Sequence, residues 1–334
     1  MLDTIDEKII SELDNNARQS NSQIARRTGV PKSVVGYRIR RLEKSGVIKY
    51  YYAVIDSYRL GYSSYRIYLK LRHASPKKER EIIDYLAALK QTRWVGLIKG
   101  TYNIGVVFLV RTQKEFVEQY NAFIAIYRPY ISKSHVGISS GLERYRLPFA
   151  KRHLKNRANV DEVHVGEAAE IDATDSRLLQ LLSANARMPL LEMAKSLGLT
   201  PAGVQYRLRQ LMKDRIVLGF RPMLDMEMLG YTLYKIDFNL KDAAGYEKMR
   251  RFAKEHEDIF CLVKTIGWAD VEFEVYARNT PQFYSILDEI RLKFDDIMSD
   301  YDFFMYAELI KFRYTPAGPG AGKSRQPQPG IRYR

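Results

Sequence analysis

Apolar residues recur at helical spacing near the N-terminus of this chain. Ile5, Ile9 and Leu13 lie three or four residues apart and predict an amphipathic helix with one buried face. Asp3 or Thr4 could cap its first turn, because a short polar side chain there accepts hydrogen bonds from unpaired backbone N–H groups. The chain is therefore expected to begin with a capped helix.

Two further helices and a strand pair are predicted before residue 56. A short second helix ends at Gly29, and the third helix has Val35, Ile39 and Leu42 on one buried stripe. The tyrosine-rich, β-branched run over residues 47–55 is typical of a short strand pair, or wing. Helix, short helix, glycine turn and helix is the order of a helix-turn-helix motif, in which the last helix enters the major groove of DNA.

The outward face of that third helix is basic and aromatic. Arginine and tyrosine side chains can reach base edges or phosphates, and a glycine permits close approach of the backbone. The candidate DNA-binding residues are therefore Lys32, Ser33, Gly36, Tyr37, Arg40 and Arg41. Arg38 lies one position before a buried residue of the stripe, so a phosphate contact and an intradomain salt bridge are both open for it.

The first part of the chain occurs a second time. Asn16-Ala17-Arg18 recurs as Asn185-Ala186-Arg187, and the same offset of 169 gives 21 identities in 69 positions from Asp3 to Leu71. Such agreement without a gap indicates a duplication. The corresponding helix of the second copy presents Pro201, Ala202, Gln205, Tyr206 and Arg209, and Arg207 has the same two alternatives as Arg38.

The remainder of each copy alternates between strand and helix patterns. From residue 62 the predicted order is β, α, β, β, α, β, and the second copy repeats it from residue 231. This order is typical of a ferredoxin-like fold, with four antiparallel strands and both helices on one face. Aromatic side chains along the strands make the open sheet face apolar, which predicts that a second sheet covers it.

The predicted fold class is therefore α+β, a tandem repeat of a winged helix-turn-helix domain and a ferredoxin-like βαββαβ domain. We assign the two winged helix-turn-helix domains, called heads below, to residues 1–56 and 171–225. The two ferredoxin-like domains, called sheet domains below, are assigned to residues 57–149 and 226–315. The apolar-poor stretch 150–170 is expected to be a linker, and the Gly- and Pro-rich residues 316–334 a flexible basic tail.

Composition limits the classes of partner. The 334 residues carry a formal charge of +15, which favours nucleic acid first and an anionic membrane surface second. A single cysteine, Cys261, excludes a disulfide framework and a four-cysteine zinc site. No apolar run is long enough to span a membrane, so we expect a cytoplasmic protein without a membrane partner.

The positive charge is unevenly distributed. Each head carries only +3, whereas residues 57–160 carry +14 and residues 226–316 carry −5. Opposite charges favour pairing of the first sheet domain with the second over pairing of like with like. An intramolecular pseudo-dimer is therefore expected, whose surplus charge could hold flanking DNA or an anionic ligand.

These motifs in combination carry a family resemblance. Asn16-Ala17-Arg18, Gly29-Val30 and Gly46-Val47-Ile48, followed by a βαββαβ domain with a Gly-x-x-Asp turn, resemble the Lrp/AsnC family of transcription regulators. Each of the two copies shows the resemblance over nearly its whole length, and only the linker and the tail lie outside it. It implies a sequence-specific DNA-binding regulator made of two fused units with RAM-type sheet domains. It also implies double-stranded DNA as the partner and an amino acid or similar metabolite as an effector.

The effector turns of that family would fall on Gly100 and Asn103 in the first copy and on Gly267 and Asp270 in the second. Asn103 stands where the acid is expected and lacks its charge, so the second turn is the better candidate site for an amino-acid ammonium group. The same residue types also build ordinary hairpin turns, and that interpretation is equally open.

Two other functions must be weighed. Siroheme decarboxylases are similar to Lrp/AsnC proteins and pair two related subunits, which a fused chain could mimic, and a basic sheet domain would suit a carboxylate-rich tetrapyrrole. Against this, the five histidines are scattered, and no P-loop, dinucleotide fingerprint or nucleophile elbow is present. We therefore expect neither enzymatic activity nor a bound metal or cofactor. A less specific, architectural DNA-binding protein is the third interpretation.

Overall fold

The computed structural model describes residues 2–153 and 161–313 of the chain. The first head contains three helices and one strand: α1 (Thr4–Asn15), α2 (Asn21–Thr28), α3 (Lys32–Lys44) and β1 (Ile48–Ile55). Of the two candidate caps of α1, Asp3 is the one used, and Ser20 caps α2. Each side-chain oxygen accepts the backbone N–H three residues later, which satisfies a donor that the helix itself leaves unpaired.

The first sheet domain has the predicted order of elements. These are β2 (Ser63–Leu71), α4 (Pro76–Ala88), β3 (Thr92–Gly100), β4 (Ile104–Val110), α5 (Gln113–Tyr127) and β5 (Ile131–Arg144). The strands lie in the order β5-β2-β4-β3, all antiparallel, as in a ferredoxin-like fold. Both helices pack on one face of this sheet, with Ile82, Phe116 and Phe123 in the shared core.

The connection between the copies is more than a linker. It contains α6 (Ala150–His153) and β6 (Asp161–His164), and β6 pairs with β5. Val163 is buried there, and the Asp161 carboxylate lies 2.6 Å from Arg221 Nε. Four residues are too few to show a periodic pattern, so the sequence did not reveal this strand. The expected tail, residues 316–334, lies outside the described residues.

The second copy repeats the first. Its head consists of α7 (Ala173–Ala184), α8 (Leu190–Leu197), α9 (Pro201–Lys213) and β7 (Val217–Leu224). Its sheet domain consists of β8 (Thr232–Leu240), α10 (Gly245–Glu255), β9 (Ile259–Ile266), β10 (Val271–Ala277), α11 (Thr280–Phe294) and β11 (Met298–Phe312). The strand order β11-β8-β10-β9 is that of the first copy.

The two sheets join into one closed barrel. β3 pairs with β11 at one junction and β5 pairs with β9 at the other, both antiparallel. Along β2, Tyr65, Ile67 and Leu69 face the helices, whereas Arg66 and Tyr68 face the barrel interior. The sheet of each copy therefore covers the open face of the other, as expected. The two copies are paired within one chain.

The wing forms between the copies. β1 pairs antiparallel with β7, from Ile48 opposite Leu224 to Ile55 opposite Val217. Residues 47–55 therefore contribute one strand, and the predicted strand pair within a single head is wrong. The β-branched pattern indicated a strand, but its partner lies in the other copy and leaves no local signal. In the described part of the chain, no helix is long and apolar enough to cross a membrane.

Candidate nucleic-acid interface

Each third helix begins after a left-handed glycine turn. Gly29 and Gly198 end α2 and α8 with φ angles of 73° and 68°, a conformation that favours glycine. The turn directs the following helix so that its apolar stripe enters the core of the head. The stripes are fully buried and consist of Val35, Ile39 and Leu42 in α3 and Val204, Leu208 and Leu211 in α9.

The opposite faces of α3 and α9 are open to solvent. The exposed predicted residues are Lys32, Ser33, Tyr37, Arg40 and Arg41 in α3 and Pro201, Ala202, Gln205, Tyr206 and Arg209 in α9. Tyr37 is 60% exposed and Tyr206 is 64% exposed, at equivalent positions of the two helices. A large aromatic side chain kept in water at both positions is available for contact with a partner.

Gly36 departs from this pattern. It is buried, and a Cβ at this position would lie 3.0 Å from Nδ2 of Asn21 at the start of α2. The side chains of Asn21 and Arg40 cover the glycine, so it is not open to solvent as the other predicted residues are. The spacing along α3 does not show this, because Asn21 belongs to the neighbouring helix.

Arg38 and Arg207 form the intradomain salt bridges that were one of their two alternatives. Arg38 pairs with Asp3 and, at 3.2 Å, with Asp6, and Arg207 pairs with Asp172 at 2.7 Å and Asp175 at 2.9 Å. The pKa of Asp172 is lowered by the Asp175 backbone N–H and then by Arg207. Both arginines are thus held against the first helix of their head.

The two heads differ in the charge that they present. In the first head, Arg41 pairs with Asp6 but stays exposed, and Arg40 makes no ion pair with any described residue. In the second head, the equivalent positions are Arg209, which is exposed, and Gln210, which is neutral. Among the predicted contact residues, α3 therefore presents three exposed cations, Lys32, Arg40 and Arg41, to an approaching polyanion, whereas α9 presents one, Arg209.

The repeated Asn-Ala-Arg tripeptide joins each head to the wing strand of the other copy. The Ala17 N–H donates to Phe220 O at 2.8 Å, and the Ala186 N–H donates to Tyr51 O at 3.0 Å. Arg18 also donates to the carbonyls of Ala186 and Met188 across the same junction. The sequence showed this tripeptide as a repeat but not its role, because the partner strand is in the other copy.

A buried ion cluster lies between the heads and the barrel. Arg221 of β7 lies 3.1 Å from the Asp14 carboxylate at the end of α1 and 2.6 Å from the Asp161 carboxylate on β6. Arg146 donates to the Asp14 carbonyl and, at 3.1 Å, to Asn15 Oδ1. Because these groups are desolvated, each charge depends on its partners. The cluster fixes the position of both heads relative to the barrel.

The two predicted effector turns are hairpin turns, and in each one a side chain accepts a hydrogen bond from the backbone of a neighbouring strand end. Asn103 Oδ1 accepts the Leu71 N–H at 2.9 Å, and Asp270 Oδ2 accepts the Leu240 N–H at 2.8 Å. Gly100 and Gly267 have φ angles of 131° and 140° and lie against β11 and β5 respectively, strands of the opposite copy. The hairpin role is therefore present at both turns, while the exposed Asp270 retains a second carboxylate oxygen.

Comparison with known proteins supports the class that the fold defines, a paired winged helix-turn-helix protein. A model of winged helix-turn-helix DNA-binding domains matches residues 2–49, and a model of the AsnC-type helix-turn-helix domain matches residues 171–212. An uncharacterized HTH-type transcriptional regulator of Pyrococcus furiosus is 32% identical over 118 residues, which are 35% of this chain and 78% of that protein. The regulatory protein AsnC of Haemophilus influenzae is 28% identical over 130 residues, 39% of this chain and 87% of that protein.

The chain belongs to the Lrp/AsnC family of DNA-binding transcription regulators and contains two fused copies of its unit. The crystal structure of the siroheme decarboxylase NirDL shares the fold over 94% of both chains, with a TM-score of 0.64 and 12% sequence identity. At that identity the likeness concerns the fold alone. Among the described residues, no three His, Cys, Asp or Glu side chains are grouped so that they could hold a metal ion.

Proposed function

We propose that this protein is a sequence-specific cytoplasmic transcriptional regulator that reads DNA with α3 and α9 as a fused pseudo-dimer. The observation that carries the proposal is the pair of exposed recognition faces held on one shared wing sheet. Paired reading helices contact successive major-groove segments when their separation is fixed. Here the wing and the ion cluster around Arg221 fix it without any association of chains.

The two heads are expected to read different half-sites. Identical heads related by a two-fold axis match a palindromic operator. The face of α3 presents Lys32 and Ser33 where α9 presents Pro201 and Ala202, and Arg41 is replaced by Gln210. We therefore propose an asymmetric operator in which the half-site read by α3 contributes more of the affinity.

The proposal is tested by selecting bound sequences from random duplex DNA and titrating the best one in gel-shift assays. Tyr37→Ala and Arg40→Ala should each weaken binding by about 5- to 100-fold, the range of a lost base or charged contact. Lys114→Ala is the control, because Lys114 is a highly exposed cation on α5 of the first sheet domain and not on either head. Unchanged operator affinity in both head variants would contradict the assignment of α3.

The architectural interpretation makes a different prediction. A protein that coats DNA without sequence preference would protect every region of a footprinted fragment equally and lose affinity uniformly with salt. Protection confined to one site that persists at salt concentrations where the flanks are released supports the regulator.

We further propose that an amino-acid effector contacts the turn at Gly267 and Asp270. Asp270 has one carboxylate oxygen left after the hydrogen bond from Leu240, whereas Asn103 uses its single side-chain oxygen on Leu71. A panel of amino acids titrated calorimetrically into the wild type and Asp270→Asn tests this. A ligand that binds both proteins equally well would exclude Asp270 from the contact.

The enzymatic alternative is favoured by the fold shared with a siroheme decarboxylase over nearly the full length of both chains. Against it, no histidine is among the described residues that line the interior cavity of the barrel. A haem-like absorption spectrum of the purified protein would support the enzyme, and a spectrum without visible bands after exposure to an iron tetrapyrrole would oppose it.

A further inference from the structure

A pocket of about 380 Å³ lies where the first head meets the second copy. The first head lines it with Asn16 and Arg18, which follow α1, and with Gln23 of α2. The second copy lines it with Met212 of α9 and Phe220 of β7. The pocket shares no lining residue with the barrel cavity, the effector turns or the predicted contact residues of α3 and α9. It is therefore a separate candidate site.

The wall of this pocket carries an uncompensated positive charge. Its described lining contains two arginines, Arg18 and Arg27, and no carboxylate. Arg27 lies 3.4 Å from a carboxylate oxygen of Glu12 and remains half exposed. Arg18 donates through Nη1 to the carbonyls of Ala186 and Met188 and forms no ion pair with any residue that the structure describes. One cation is thus left without an anion.

A second arginine near Arg18 also has no carboxylate partner in the described part of the chain. Burial, and then the charge of Arg187, lowers the pKa of Arg18. Arg187 Nη1 is buried without a described hydrogen-bond partner, and its guanidinium carbon lies 5.0 Å from the ring centroid of Tyr51. Like charges in partly desolvated surroundings repel each other, so an anion bound at Arg18 would stabilise this junction of the copies.

The other polar groups at the pocket are mainly donors. Gln23 Oε1 accepts the Ser20 N–H at 2.8 Å, and Asn16 Oδ1 accepts the Arg18 N–H at 2.9 Å. The side-chain N–H groups of both amides are left for a ligand, since no described residue accepts from them. Amide and guanidinium donors around one opening favour an anionic group with several acceptor oxygens.

Gln19 supplies one buried acceptor to the lining. The residue is only 5% exposed, and its Nε2 donates to the Glu12 carbonyl at 2.6 Å and to Glu12 Oε2 at 3.2 Å. Because both partners are acceptors, they fix the orientation of the amide. Gln19 Oε1 has no hydrogen-bond partner among the described residues. Buried polar atoms are nearly always paired, so a ligand hydroxyl that donates to Oε1 would satisfy it.

We propose that this pocket binds a compact organic phosphate monoester that carries hydroxyl groups. Arg18 and Arg27 hold the phosphate, and one hydroxyl donates to Gln19 Oε1. Met212 and Phe220 contact the carbon skeleton. A phosphate ion alone would leave most of the 380 Å³ unfilled, so the organic part belongs to the ligand. The site goes beyond the proposed regulator, and its binding is measured without DNA, so either proposal can fail while the other stands.

The test is calorimetric titration of the full chain, in a phosphate-free buffer of low ionic strength, with ribose 5-phosphate, ribose, inorganic phosphate and gluconate. Ribose 5-phosphate should bind saturably and at least about tenfold more tightly than each of the other three probes. Equal affinity for inorganic phosphate would overturn the organic part of the proposal. Equal affinity for ribose or gluconate would overturn the phosphate assignment. No binding of ribose 5-phosphate at millimolar concentration would overturn the site itself.

Arg27→Gln tests the charged wall and should weaken binding of ribose 5-phosphate about 10- to 100-fold by removing a charged donor. Arg26→Gln is the matched control, because Arg26 is the preceding residue of α2, is equally open to solvent and does not line the pocket. Equal affinity of the two variants would contradict the proposal.

Met212→Trp tests the apolar wall and should abolish binding by filling the pocket. Met228→Trp is its control, because Met228 is likewise an exposed methionine of the second copy but lies outside the pocket lining. Both positions are at the surface, so both variants should fold, which circular dichroism verifies. Displacement of ribose 5-phosphate by duplex DNA of random sequence would assign the pocket to the DNA backbone and overturn the proposal.

Discussion

Lys235→Met is expected to be strongly destabilising, because Lys235 holds a buried charge cluster together inside the barrel. Its side chain is 0% exposed, and Nζ lies 2.8 Å from both the Asp237 and the Glu272 carboxylates. It also donates to the Tyr68 hydroxyl at 2.5 Å. Arg66 of the first copy pairs with the same Glu272, so the cluster contains two cations and two anions from both copies.

Removing the lysine leaves two buried carboxylates with a single guanidinium. Methionine keeps most of the side-chain volume, so the effect reports the uncompensated charge and not a cavity. Breaking a buried pair in this way costs about 3–5 kcal/mol of unfolding free energy. In Lys235→Met/Asp237→Leu the charge is balanced again, and most of that loss should be recovered, since an apolar replacement of a whole pair is often neutral.

The cost should also depend on pH. Burial raises the pKa of Asp237 from its ordinary value to about 6, although Lys235 opposes the shift. A carboxyl group with a raised folded-state pKa contributes stability that is present below pH 4 and is lost as the pH rises through 6. Without the lysine, Asp237 can be protonated at low pH, so the variant should lose less stability at pH 5 than at pH 7.5.

Denaturant unfolding followed by circular dichroism, at both pH values, measures these effects. Lys264→Met is the control, because Lys264 is an exposed lysine on β9 that lies over the Tyr246 ring at 4.6 Å, and it should cost no more than about 1 kcal/mol. A cost below about 1 kcal/mol for Lys235→Met, or a double variant no more stable than the single one, would refute the reasoning.

Three further predictions concern the first head and the junctions between the two copies. Arg40→Ala should reduce the slope of log affinity for DNA against log salt concentration by about 0.9. Arg38→Ala should leave that slope unchanged, because Arg38 forms salt bridges with Asp3 and Asp6. It should instead lower the midpoint of unfolding. Arg18→Ala should cost about 1.5–3 kcal/mol in denaturant unfolding by removing charged donors to Ala186 O and Met188 O; a cost near zero would show that the junction does not need them. Gly267→Ala should lower the free energy of unfolding by about 1–3 kcal/mol, because φ is 140° and a Cβ there would lie 3.0 Å from the backbone of β5. Gly230→Ala should lower it less, because the space around Gly230 is open. Equal losses would show that the crowding at Gly267 does not matter.

The elements that depend on local pattern were predictable from the sequence. The strands and helices of both sheet domains follow the predicted order, and the buried stripe of α3 is the predicted one. The offset of 169 revealed the duplication, and charge separation between the sheet domains indicated their pairing. These signals are carried by neighbouring residues or by whole segments.

What the sequence could not show depends on residues distant along the chain. The partner of β1 is in the other copy, and part of the cover over Gly36 comes from Asn21 of α2. The spacing leaves the role of Arg38 open, because its salt bridge to Asp3 depends on how α1 crosses α3. The lining of the barrel cavity comes from nine or more separate segments, and no spacing in the sequence relates them.

The shared wing has a consequence for how the protein is made. During synthesis, β1 emerges long before β7, so the first head has no partner for its edge strand until residues 217–224 have left the ribosome. The barrel closes later still, because β3 must wait for β11 at the end of the described chain. Such distant pairings are slow to form, and the unpaired edges can meanwhile associate with other chains. Slow translation of the second copy, or its loss by truncation, should therefore favour aggregation of the first.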